Sequence, residues 1–194
     1  DSYVNFVDWF VGRYKDDANI KYIELINSPA AWWKGTTAQL LDMNNKTYDR
    51  IKNKYPDILI GTPGFEYEVD SGSTEKGVQI IEYFLSKNNG AKFDFFAIHG
   101  YPLMDDIKLH NIYPPTKNPL LNKYGGIKGI LEIRKIMDGN GWTDRLIIDT
   151  EHTGVTLAKP TVSDGEDKLD AAYLVQELTL KKVWFTYGNS QKGV

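Results

Sequence analysis

Residues 57–102 read DILIGTPGFEYEVDSGSTEKGVQIIEYFLSKNNGAKFDFFAIHGYP, and the fold class turns on this stretch. DILIG (57–61) is a short apolar run of strand length, closed by the turn residues Thr62-Pro63-Gly64. Residues 74–88 read as a helix, with Gly90 as its stop. FDFFAI (93–98) is a second strand, ending in His99-Gly100-Tyr101-Pro102. Strand, helix and strand in that order make a βαβ unit, which implies a parallel sheet.

The alternation continues in both directions. Upstream, residues 2–16 place Val4, Val7, Phe10, Val11 and Tyr14 at helical spacing, and IKYIELI (20–26) reads as a strand before the turn Asn27-Ser28-Pro29. Residues 36–55 form a helix opened by Thr36 or Thr37 as N-cap. Downstream, a loop with Pro114, Pro115 and Pro119 leads to a helix over about 123–138, and RLIIDT (145–150) is a strand ending in Glu151. A helix over 166–181 and a strand over 182–187 follow, with Gly188 onward as a tail. Five strands with no linker between them predict one domain spanning residues 1–194, α/β in class.

Composition limits what this domain does. Of 194 residues, 41% are apolar and 25% charged, a globular mix rather than a disordered one. The net charge is −3 with no basic stripe, which argues against nucleic-acid or anionic-membrane partners. The apolar runs are strand-sized, too short to span a bilayer. Cysteine is absent, excluding disulfides and thiolate metal sites. An opening Asp1 with neither Met nor a signal-peptide pattern suits a processed chain or a fragment. No glycine-rich phosphate loop follows any strand, which counts against nucleotide binding. The Asp164–Asp167 stretch suits a helix N-terminus and lacks the spacing of an EF-hand calcium loop.

In parallel α/β folds ligands gather beyond the carboxyl ends of the strands, where the variable loops collect. Those ends carry Asn27-Ser28, Glu66, His99-Tyr101, Glu151-His152 and Trp184-Tyr187, a polar and aromatic set unlike the strand interiors. Plain alternatives accompany each. Asn27 also suits a turn cap before Pro29. His99 also suits a structural histidine, and Trp184 and Tyr101 suit core packing. Of Trp32 and Trp33, one is expected to pack a loop onto the strand ends. Asp149 shares a face with Glu151 by alternation and lies one inward position deeper.

YIELINSPAAWWKGT (22–36), IKNKYPDILIGTPG (51–64), FDFFAIHGYP (93–102), LIIDTEHTG (146–154) and VWFTYG (183–188) together resemble strands four to eight of the retaining (β/α)8-barrel glycoside hydrolases. The resemblance covers nearly the whole chain in the correct order. It implies a TIM-type barrel, partial in this chain, with the first three β/α units lacking. It also implies hydrolysis of a β-linked glycan by a retaining mechanism, with Glu151 as nucleophile. Asn27, His99, Tyr101, Trp184 and Trp32 would line the sugar site. The chemistry needs carboxyls and water only, so no cofactor and no metal are expected. Related enzymes are commonly extracellular, so the resemblance implies that placement; Asn45-Lys46-Thr47 is a glycosylation sequon, but such triplets also occur by chance and prove no secretion.

Two departures from the family pattern stand out. The acid/base Glu that follows the strand-four Asn is here Ser28, whose hydroxyl is far too weak an acid for the task. Glu24 shares the inward face with Ser28, but four residues at about 3.3 Å each place it some 13 Å deeper. Glu66 and Glu68 are the freer substitutes. The missing strands would also leave two sheet edges, to be covered by further sequence, a second chain or a symmetric copy. Ser28 and the missing half support an alternative: an inactive relative serving as a carbohydrate-binding or assembly module. An open doubly wound α/β domain unrelated to glycosidases is the third reading, in which Glu151 would not face Asn27.

Overall fold

The computed structural model describes residues 2–66, 74–100 and 126–151. Along these the elements run α1 (Ser2–Tyr14), β1 (Tyr22–Ile23), α2 (Pro29–Trp32), α3 (Thr37–Lys54), β2 (Leu59–Ile60), α4 (Thr74–Leu85), β3 (Phe95–His99), α5 (Gly126–Gly139) and β4 (Leu146–Glu151). A 3-10 turn over Lys87–Asn89 follows α4 and ends at Gly90, whose φ of 69° is the left-handed conformation that glycine adopts without a Cβ penalty. The strand over 182–187 and the helix over 166–181 expected from the sequence lie outside the described residues.

Local chemistry explains the helices. Thr36 opens α3 with a reciprocal cap: its Oγ1 accepts from Gln39 N at 3.2 Å, and Gln39 Oε1 accepts from Thr36 N at 2.8 Å. The buried face of α3 carries Leu40, Leu41, Asn44, Thr47 and Ile51 at helical spacing. Pro29 stands at the start of α2, where its missing N–H costs nothing. The turn expected at Asn27-Ser28-Pro29 thus runs directly into a short helix.

The strands pair in parallel. Tyr22 stands beside Leu59 and Ile23 beside Ile60, while β3 and β4 pair from Phe95 and Leu146 onward. Parallel bridges Gly61–Phe95 and Phe65–Ile98 carry the pairing across from the second strand segment to β3. Thr62 N donates to Phe95 O at 3.1 Å and His99 N to Phe65 O at 2.7 Å. The four segments therefore lie side by side in chain order, an α/β arrangement with helices between successive strands.

Two apolar clusters hold this layer. One joins Leu40, Ile81, Phe84 and Ile133 of the helices to Phe96, Ile98 and Ile147 of the strands. The other packs Val7 and Val11 of α1 against Ile51, Ile58 and Ile60. Alternation follows: Phe96 and Ile98 point to the helices, so Phe95, Ala97 and His99 point to the opposite, inner face.

Polar ties at the bottom of the strands set the register. Asp94 Oδ2 accepts from Ile60 N at 2.9 Å, and Tyr48 Oη donates to Asp94 Oδ1 at 3.1 Å. The sequon lies within α3. Asn45 Nδ2 donates to Gly90 O at 3.0 Å, its Oδ1 accepts from Lys92 N, and Thr47 is fully buried. Its amide is hydrogen-bonded to the turn after α4.

Candidate active site

Ser28, Glu66, His99 and Glu151 come from four different strand segments and meet at their carboxyl ends. His99 is the hub. Its imidazole is completely buried, with Nδ1 3.4 Å from Ser28 Oγ, 3.9 Å from Glu66 Oε2 and 3.7 Å from Glu151 Oε2. Because both glutamate oxygens neighbour one atom, their separation cannot exceed the sum of 3.9 and 3.7 Å. That ceiling includes the roughly 5–5.5 Å between the carboxyl groups of a retaining pair.

Glu151 reaches this place through an irregularity. In β4, Ile147 pairs with Phe96 and packs against the helices. Regular alternation from Ile147 would turn Glu151 to the helix side and Thr150 to the inside. Instead the register shifts between Ile98 and His99, so that Asp149 pairs with Ile98 and Glu151 with His99. The extra residue, Thr150, brings Glu151 to the inner face, as bulges beside binding sites commonly re-aim a side chain.

The same shift corrects the expectation that Asp149 shares a face with Glu151. Asp149 Oδ1 accepts from Gly100 N at 2.8 Å, on the side to which Ile98 points. Its carboxylate fills the space where a Gly100 Cβ would be.

Ser28 is buried, with φ 48° and ψ 60°, the only non-glycine residue among those described with a positive φ. This left-handed turn carries the chain from the first strand into α2 and brings Ala31 N within 3.1 Å of Glu66 Oε1. Glu66 is 8% exposed. Burial raises its carboxyl pKa, opposed by bonds from the Ser28 hydroxyl and the Ala31 N–H and by the charge of His99.

Glu24, set too deep by a count along the strand, belongs to the same cluster. A Cβ on Gly64 would lie 2.5 Å from both Glu24 Oε1 and His99 Nε2, so glycine is what lets these groups approach each other. Glu24 reaches His99 with its side chain across the bare Gly64 of the neighbouring strand segment, which a count along its own strand does not register. Burial raises the Glu24 carboxyl pKa too, against a bond from Thr150 and the charge of His99. Its Oε2 is buried with no hydrogen-bond partner among the described residues.

The other expected site residues divide. Asn27 is exposed at the end of the first strand segment, its Nδ2 3.4 Å from Ser28 Oγ. Trp32, on α2, is 71% exposed and free to form a platform, whereas Trp33 donates from Nε1 to Thr36 O and packs on the core. Tyr101, Trp184 and Glu68 lie outside the described residues. Among the described residues no group of three or more candidate ligands is arranged to hold a metal ion.

The geometry offers a buried imidazole, a partly exposed carboxylate at Glu151 and a burial-raised carboxyl at Glu66, a set of groups able to exchange protons. The chain matches no protein-family model. It matches no curated protein and no solved structure.

Proposed function

We propose that the chain is a carbohydrate-active domain of the retaining (β/α)-barrel glycoside hydrolase type, hydrolysing a β-linked glycoside with Glu151 as nucleophile. One observation carries this reading: the bulge at Thr150 turns Glu151 onto the inner face beside His99, at the carboxyl ends of parallel strands. Parallel pairing in chain order is what a barrel of this type requires of its later strands. Its remaining strands, or a second chain, would cover the outer sheet edges. Asn27 and Trp32 supply a polar and an aromatic contact for sugar at the rim.

The deciding experiment is hydrolysis of a panel of aryl β-glycosides by the wild-type chain and by Glu151→Gln. Activated aryl leaving groups need little protonation, so an intact nucleophile produces a burst of phenol followed by slower turnover. The burst is expected in the wild type and absent in the variant. A folded wild-type sample with no burst on any sugar overturns the reading.

A second reading follows from Ser28 standing where the family has its acid. The domain then binds carbohydrate without cleaving it, and an oligosaccharide would bind equally well to the wild type and to Glu151→Gln with neither turning over.

A further inference from the structure

Ser28 leaves the acid position of the proposed hydrolase without a proton donor. We propose that Glu66, from the neighbouring strand end, supplies that donor and later acts as the general base. The inference rests on the hydrolase reading and adds to it a relocated acid, carried by a different strand from the one that bears it in the family pattern.

Four features of the geometry support this assignment. Glu66 lies beside the vacant position itself, since Ser28 Oγ and Glu66 Oε2 both neighbour His99 Nδ1, at 3.4 and 3.9 Å. Ala31 N donates to Glu66 Oε1 at 3.1 Å, which fixes the carboxyl in place. Glu66 Oε2 and Glu151 Oε2 share His99 Nδ1 as a neighbour, at 3.9 and 3.7 Å, an upper limit on their separation that is compatible with a catalytic pair. Finally, burial of Glu66, 8% exposed, raises its carboxyl pKa against the bonds from Ser28 and the Ala31 N–H and the charge of His99, which is the direction a general acid needs. The groups facing it are Ser28, the Ala31 N–H, His99 and Glu151. Glu24, the rival carboxyl, is half-buried and lies beside Gly64 and His99 Nε2, on the other ring nitrogen from Glu66.

The steps balance with water as the only co-reactant. Glu151 attacks the anomeric carbon and forms a glycosyl ester. The glycosidic C–O bond breaks, and its oxygen leaves with the Glu66 proton. Water then gives a proton to the Glu66 carboxylate as its oxygen bonds to the anomeric carbon, which frees Glu151 and restores both groups.

The test compares wild type, Glu66→Gln and Glu151→Gln on 2,4-dinitrophenyl and on unsubstituted phenyl β-glycosides, with and without azide. Loss of a general acid costs roughly 10²–10⁴-fold on the poor leaving group, which needs protonation. It costs little in forming the intermediate from the dinitrophenyl substrate. Azide, which needs no general base, accelerates turnover of Glu66→Gln and yields a β-glycosyl azide. Glu66→Asp keeps the carboxyl but withdraws it by one methylene. It should show the same leaving-group selectivity at smaller amplitude, and it decides the matter should the amide variant not fold.

Equal loss on both substrates, or no loss on either, with Glu151-dependent turnover intact, overturns the role of Glu66 and leaves the hydrolase reading standing. Absence of any Glu151-dependent turnover in the wild type overturns both.

Discussion

Glu24 and His99 meet over the bare Cα of Gly64: a Cβ there would stand 2.5 Å from Glu24 Oε1 and 2.5 Å from His99 Nε2. His99 in turn touches Ser28 and Glu151 through Nδ1, so displacement of the ring disturbs the whole cluster. Gly64→Ala is expected to destabilise the fold by about 1–3 kcal/mol, the usual cost of overpacking a filled site. It should also abolish any Glu151-dependent turnover. Urea midpoints of the two proteins check the first outcome, and an unchanged midpoint would show that the pair is not confined as described.

Glu24 and Glu66 both have carboxyl pKa values raised by burial in the folded state. The folded chain therefore binds protons that the unfolded chain has already lost. Their contribution is fully present below the ordinary glutamate range and is lost as pH rises through the raised values. Stability should decline across that window. Glu24→Gln removes one of the titrating groups and should flatten the decline. Thermal unfolding scans in a pH series are the measurement, and parallel curves for the two proteins would contradict it.

Asp8 works in the opposite sense. Bonds from Lys54 and Arg50 join α1 to α3 and hold its carboxyl below the ordinary range. Its contribution exists above the unfolded pKa and disappears as pH falls through the depressed folded value. The two cationic partners are half exposed, which limits the pairing to about 0.2–1 kcal/mol per pair and makes it sensitive to salt. Asp8→Asn should lose that amount at neutral pH and low salt, and nothing in strong acid. A loss that persists in acid would assign Asp8 a packing role instead.

Ser28 holds a left-handed backbone conformation that costs an L-residue about 1–2 kcal/mol relative to glycine. Ser28→Ala and Ser28→Gly remove the same hydroxyl, and only the second relieves the backbone. Glycine should therefore be the more stable of the two variants by about 1 kcal/mol. Equal stabilities would mean that the φ of 48° is not a feature of the folded chain in solution.

Much of this molecule is written in local pattern. The βαβ alternation, the Thr36 cap and the stop at Gly90 depend on residues a few positions apart, and the described elements fall within a few residues of where spacing places them. Ser28, His99 and Glu151 were recognisable as strand-end polar residues. Other features depend on a neighbouring strand and leave no local trace. The register shift that turns Glu151 inward is a relation between β3 and β4. Glu24 joins the cluster because Gly64, forty residues later in the chain, has no side chain to exclude it. The conformation of Ser28 had no marker either, since serine rarely signals a left-handed turn.

A pleated strand keeps a two-beat rhythm, delivering one inward residue for every outward one. At Thr150 the rhythm skips, and two consecutive residues arrive on the same side. Thr150 answers to Glu24, and Glu151 answers to His99. Removing Thr150 would restore the even beat and still leave Glu151 opposite His99, while Glu24 would lose its hydroxyl partner. The skipped beat thus separates two duties that a regular strand would have to share, and the tip can be tuned at either residue without disturbing Ile147 beneath it.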